Sequence, residues 1–159
     1  MKKILSLLLV LVTMLAVCTS LVACSGPKPT LDIDRAQQNL ERNGYDVYVR
    51  DGEDLGGLVG AAIEARLSAH DEDDNEIYIY EFKDEKAAKL YYNDVKIYYG
   101  KNSAEYKFYK RYLKKYGDDM TRDERKDVAE YIEELEEYVC GRSGKYVWYG
   151  TKDAVNATK

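Results

Sequence analysis

Histidine is nearly absent from this chain. Its 159 residues contain one, His70, and only three cysteines, Cys18, Cys24 and Cys140. One imidazole and three thiols are just four nitrogen and sulfur ligands, and with Cys18 and Cys24 in the apolar N-terminal stretch the rest of the chain lacks the set a zinc site needs. Nucleophilic catalysis is left with a single thiol–imidazole combination, Cys140 with His70, and Cys140 follows Val139 at the end of a helical pattern, where a small buried hydrophobe is its expected role. A dinucleotide fingerprint is missing too. Gly52, Gly56, Gly57 and Gly60 follow a strand-like run, with Glu81 about twenty residues beyond Gly60, but their spacing is not G-x-G-x-x-G. They read as turn or bulge residues. The acidic run from Asp71 to Glu76 begins like an EF-hand loop and then departs from it: position six is Glu76 where the turn needs glycine, and position twelve is Phe82 where a bidentate glutamate belongs. A solvated hairpin loop is the expectation there.

What is present begins with Met1-Lys2-Lys3 and then runs from Ile4 to Ala23 without a charge. A basic start followed by an apolar stretch of this length is the pattern of a secretory signal. Twenty uncharged residues also suffice for a membrane span, although Cys18-Thr19-Ser20 is polar for one. Leu21-Val22-Ala23-Cys24 resembles the lipobox of bacterial lipoproteins, with an aliphatic residue at −3, a small residue at −1 and cysteine at +1. The resemblance implies that the Cys24 sulfur receives a diacylglycerol, that cleavage falls between Ala23 and Cys24, and that Cys24 becomes the mature N-terminus. It implies a location on the extracytoplasmic side of a cell membrane, with no cofactor beyond that covalent lipid. Two acyl chains hold a domain on a bilayer stably, where one does not. Cleavage would leave Cys140 as the one thiol of the folded part, so no internal disulfide braces it and the apolar core must.

The division that follows is residues 1–23 as signal peptide, 24–29 as lipidated cysteine and short tether, and 30–159 as one domain. Loss of residues 1–23 removes Lys2 and Lys3 and no acid, which leaves 22 basic and 29 acidic side chains, a net charge of −7. Such a domain repels nucleic acid and anionic lipid alike, and membrane attachment falls to the acyl chains.

Along that domain, Ile33, Ala36 and Leu40 predict a helix over about 30–43, capped by Thr30 or Asp32 and ended by Gly44. Tyr45 to Arg50 alternates like a strand. The stretch 58–70 fits both a strand and a helical face, and strand is preferred because Ile77 to Phe82 is a clear strand beyond a polar loop. Asp84 caps a helix with Ala88, Tyr91, Val95 and Tyr98 on one face. Gly100 either ends it or weakens one long helix, and Tyr106, Tyr109, Leu113 and Tyr116 continue the phase. Thr121 and Glu124 form a capping box opening a helix with Val128, Tyr131, Ile132, Leu135, Tyr138 and Val139 on its face, stopped by Gly141 and Gly144. Lys145 to Tyr149 is a last strand, and Thr151 caps a final turn. This order predicts an α+β fold: a small, largely antiparallel sheet of about four strands, with helices packed on one face, including a helical hairpin.

Lys107, Lys110, Arg111, Lys114 and Lys115 face Glu130, Glu133, Glu134, Glu136 and Glu137 of the following helix, so ion pairs flanking the hairpin seam are expected rather than a nucleic-acid surface. The oddest abundance is tyrosine, sixteen residues. The neighbours Tyr91-Tyr92 and Tyr98-Tyr99 cannot all face one core, and exposed rings make low-entropy contacts with proteins or glycans. Tyr92, Tyr99 and Trp148 are the candidate contact residues. The function read from this is a lipid-anchored, non-catalytic binding or envelope-support module with an envelope protein or glycan as partner. The alternative is a small cell-wall-directed hydrolase using carboxylates, though nothing marks two of the 29 acids out. A two-lobed solute-binding lipoprotein needs far more chain.

Overall fold

The computed structural model describes residues 26–52 and 62–159. The signal segment, Cys24, Gly56, Gly57, Gly60 and the first residues of the predicted strand 58–70 lie outside them. The elements are α1 (Ile33–Arg42), β1 (Asp46–Asp51), β2 (Ile63–His70), β3 (Glu76–Phe82), α2 (Glu85–Tyr98), α3 (Ala104–Tyr116), α4 (Arg122–Glu137), β4 (Tyr138–Ser143), β5 (Tyr146–Thr151) and α5 (Lys152–Ala157). The strands form one antiparallel sheet in the order β1-β2-β3-β5-β4, so the fold is α+β with five strands rather than four.

The additional strand is β4. Its residues continue the helical phase of α4 through Tyr138 and Val139, so periodicity alone extends the helix. The chain leaves the helix at Glu137 because the outer edge of β5 would otherwise carry unpaired backbone groups. Gly144, at φ 55°, then closes the β4–β5 hairpin.

The helices cover both faces of the sheet, not one. Ile77 and Ile79 of β3 point to a first face with Leu67, Ala69 and Trp148, beneath Ala36 and Leu40 of α1 and Ala154 and Val155 of α5. Tyr80 and Phe82 point to the opposite face with Ile63 and Val147, beneath Ala88 and Val95 of α2. A strand that is apolar at successive positions is a centrally buried one, and β3 is the middle strand. Ile63 and Leu67 have the same parity yet face opposite ways. Between them Ile63 pairs with Phe82 and Ala65 with Glu81, so Glu64 is an extra residue that reverses the alternation. The exposed Glu64 carboxylate meets Lys145 Nζ at 3.1 Å.

Side-chain caps set the helix starts. Asp32 accepts from Arg35 N (3.0 Å), Asp84 from Ala87 N (2.8 Å) and Ser103 from Tyr106 N (3.0 Å). Gly44 and Gly100 end α1 and α2 in left-handed backbone at φ 85° and 88°. α2 and α3 are therefore two helices. At α4 both halves of the capping box form, Thr121 N to Glu124 Oε2 (2.9 Å) and Glu124 N to Thr121 Oγ1 (3.3 Å). Thr121→Ala is expected to cost about 1 kcal/mol, seen as a lower thermal midpoint, while Thr121→Ser stays near wild type.

The hairpin of α3 and α4 closes over Tyr106, Ile132 and Leu135. Of the ion pairs expected along its seam, Lys110–Glu136 (3.7 Å) forms among the described residues. Tyrosine–glutamate bonds do most of the sealing: Tyr106 donates to Glu136 (2.6 Å) and Tyr131 to Glu105 (2.7 Å). Tyr98 and Tyr116, expected on the inner phase, are exposed, because each is the last residue of its helix, beyond the packed turns.

Candidate functional site

A concavity of about 750 Å³ lies where α2 ends, α3 begins and β4 passes beneath. Its position follows from the break at Gly100, whose left-handed backbone turns the chain back across β4. A Cβ there would stand 3.1 Å from the Tyr138 carbonyl oxygen. Tyr92, Ile97, Tyr99, Tyr138 and Cys140 supply the apolar lining, and Lys96, Lys101, Lys107 and Lys152 the rim.

Stacked tyrosines continue beneath that lining. Tyr99 lies on Tyr149 (4.4 Å between ring centroids, 19° between planes) and against Tyr138 (5.4 Å), while Tyr149 stacks on Tyr78 (4.9 Å). One carboxylate organises their hydroxyls, since Glu76 accepts from Tyr78 (2.9 Å) and Tyr138 (2.7 Å). Burial first, and then the Glu76 hydrogen bond, push the Tyr78 phenol up to about 12 and Tyr138 upward as well. Tyr149 is raised strongly by burial, then by Tyr80, and Tyr99 by burial, then by the Glu76 charge. These hydroxyls stay protonated at any physiological pH, and those of Tyr78 and Tyr138 donate to Glu76.

The rim is charged but organised. Lys101 pairs with Glu136 at 2.8 Å, and this hydrogen bond, with that from Tyr106, lowers the Glu136 carboxyl to about 2. Lys152 pairs with Glu137 at 3.5 Å, and Lys107 Nζ donates to the Asn102 carbonyl at 2.8 Å.

The N-terminal segment enters at this rim. Gly26 and Pro27 line the groove, and Gly26 passes so close to β4 that a Cβ on it would stand 2.8 Å from Val139 Cγ1. Pro29 is buried, and Thr30 N donates to Thr158 Oγ1 at 2.9 Å. Residues 26–29 are thus packed on the domain.

Of the candidate contact residues, Tyr92 and Tyr99 line this groove, both half-buried, and Lys96 Nζ stands 5.9 Å from the Tyr92 ring centroid. Trp148 does not join them. It is 1% exposed on the other face of the sheet, part of the α1–α5 core, because the alternation that sends Tyr149 to the groove side sends Trp148 the opposite way. Ala23 and Cys24 lie outside the described residues. Cys140 is on β4, not at a helix end, with its Sγ 3.6 Å from the Tyr99 carbonyl oxygen. Three strand spacings separate it from β2 and His70, roughly 14 Å, so the two form no dyad.

The 71–75 loop is a hairpin turn held by its own side chains: Asp71 Oδ1 accepts from Asp73 N (3.0 Å) and Asn75 N (2.9 Å), and Oδ2 from Asn75 Nδ2 (3.0 Å). No group of three or more His, Cys, Asp or Glu side chains placed to hold a metal ion occurs among the described residues, and no helix there is long and apolar enough to cross a membrane. One feature went unnoticed in the sequence. Phe108, Tyr112 and Tyr116 form an exposed ladder along the outer side of α3, with ring centroids 6.0 and 5.3 Å apart. Its signal was the four-residue spacing, hidden because the same helix carries Tyr106, Tyr109 and Leu113 inward. No protein-family model, curated protein or solved structure matches this chain.

Proposed function

We propose that the protein is held on the extracytoplasmic side of a membrane by a lipid on Cys24 and works there as a non-catalytic binding module, its groove lined by Tyr92 and Tyr99 meeting an envelope protein or glycan. The observation that carries this reading is the docking of Gly26 against Val139 at the groove rim. Cys24 is two residues away, at most about 7 Å of chain, so a lipid there brings the groove close to the bilayer surface. A flat aromatic lining with a lysine rim suits a polar partner with ring faces or anionic groups. Among the described residues, the carboxylates displaced most clearly from their ordinary range, Asp71, Glu124 and Glu136, are all lowered, with hydrogen-bond donors overcoming burial at Asp71. A hydrolase needs one held upward as a general acid.

The test is Cys24→Ala expressed in a bacterium with the lipidation pathway. Wild type is expected in the membrane fraction with a mature mass that includes the acyl chains, and the variant to lose both acylation and cleavage after Ala23. An unchanged mature mass overturns the anchor. Photocrosslinking from position 92 tests the groove separately, and a lipidated protein that carries the probe there and traps nothing from the envelope sinks the binding role while leaving the anchor intact.

A further inference from the structure

Among the described residues, the groove-side face of the sheet is only partly roofed. α2 packs over β3, β5 and β4, and the outer part, over β1 and β2, is left as a second concavity of about 320 Å³. Strand register brings two arginines together there. Arg50 of β1 and Arg66 of β2 are direct cross-strand partners, and both line the cavity. Like charges directly opposite on neighbouring strands destabilise a sheet.

Nothing among the described residues neutralises them. No carboxylate there lies within 4.0 Å of either guanidinium. The acid that lines the cavity, Glu76, is engaged by the Tyr78 and Tyr138 hydroxyls. Arg66 lies against aromatic rings, its guanidinium carbon 5.3 Å from the Tyr78 centroid and 5.7 Å from that of Tyr80, and its Nε is shielded from solvent without a hydrogen-bond partner. Rings against a guanidinium strip away water and strengthen its bonds to an anion, and its planar fork of donors suits an oxyanion. Beside the pair stands Tyr48, 53% exposed, its ring parallel to that of His70 within 7°.

We infer that this cavity binds an oxyanion, phosphate or carboxylate, carried on a sugar-like ring. Arg50 and Arg66 clamp the anion between the strands. Tyr48 offers the ring a flat apolar surface, and Ser68, paired in register with both Tyr48 and Tyr78, adds a hydroxyl between them. The site is separate from the groove and does not depend on membrane anchoring.

Calorimetric titration of the full-length protein in detergent at low salt, with glucose 6-phosphate, glucuronate and glucose, tests it. One-to-one binding of at least one anion is expected, with glucose silent and affinity falling as salt rises. Tighter binding of the phosphate ester identifies a phosphoryl-bearing ligand, and tighter binding of glucuronate a uronate. Arg66→Gln and Arg50→Gln should each weaken binding tenfold or more, as loss of a charge-assisted pair of hydrogen bonds does. Arg50→Gln, on the exposed edge strand, should also raise the thermal midpoint of the ligand-free protein by relieving the like-charge contact, whereas a purely structural arginine would lower it when removed. Silence with both anions, equal binding of glucose, binding indifferent to both substitutions, or a lowered midpoint in Arg50→Gln overturns the inference.

Discussion

Trp148→Ala is expected to cost about 3–5 kcal/mol, the range for deleting a large buried aromatic. Domains of this size have only about 5–15 kcal/mol in total, so the thermal midpoint should fall by more than about 10 °C. The indole is wedged between α1 and α5 on one side and the sheet on the other, with Gly141 of β4 as its register partner. A Cβ at position 141 would stand 2.6 Å from Trp148 Cε2 and 2.9 Å from Cη2, so Gly141→Ala forces the ring aside at a cost of about 1–3 kcal/mol. Both substitutions act on one contact. In the Trp148→Ala background the methyl at 141 enters space the indole has left, and the double variant should be clearly less damaged than the two losses added together. Thermal denaturation of the four proteins measures this. Additive losses, or a Trp148→Ala midpoint within about 3 °C of wild type, would place the indole outside the core.

The second large effect is alkaline unfolding. Below pH 10 tyrosines are protonated in both folded and unfolded chains and contribute no pH dependence. Tyr45, Tyr78 and Tyr131 are pushed up to about 12, each by burial first and then by a neighbouring carboxylate, and Tyr91, Tyr138 and Tyr149 are pushed further in the same direction. Above pH 10 the unfolded chain therefore gives up phenolic protons that the folded chain retains, and stability falls as pH rises. Each such group removes up to about 1.4 kcal/mol per pH unit until its folded pKa is passed. Six give a ceiling of about 8 kcal/mol by pH 11, reduced for the half-exposed rings by solvent screening. Tyrosinate absorbance and far-ultraviolet circular dichroism should change together in one steep transition between pH 10 and 12. A shallow absorbance titration centred at pH 10 with unchanged dichroism would be the contrary result.

The parts of this fold legible in the sequence are those fixed by local chemistry. Asp84, Thr121 and Thr151 cap the helices they were expected to cap, and of Thr30 and Asp32 it is Asp32 that caps α1, since a cap depends on groups three residues apart. The hairpin of β2 and β3 was likewise visible in its polar loop. What escaped depends on residues brought from far along the chain. β4 exists because β5 has an edge to pair, and no pattern within Tyr138–Ser143 announces that. The two-sided burial of the sheet was written in Ile77-Tyr78-Ile79-Tyr80, but a tyrosine is as much at home on a wet face as in a core, so the run did not decide between one layer of helices and two. Tyr92 and Tyr99 sit in one groove because Gly100 turns the chain back over β4, and Arg50 meets Arg66 only through register. Trp148 was misjudged because a lone tryptophan in a short strand can face either way, and the parity of β5 against β3 settles it.

The bond from Thr30 N to Thr158 Oγ1 links the segment entering the domain to the last helical turn, and Asn39 of α1 and Asn43 at its C-cap add donors to the carbonyls of Thr158 and Ala157. Mechanically this is a clasp. Tension applied through the preceding residues is shared at once with α5 and α1, both seated on the sheet, so the load spreads through the packed body instead of peeling the chain from one end. A reporter joined after Lys159 would emerge beside the incoming segment, on the same side of the molecule.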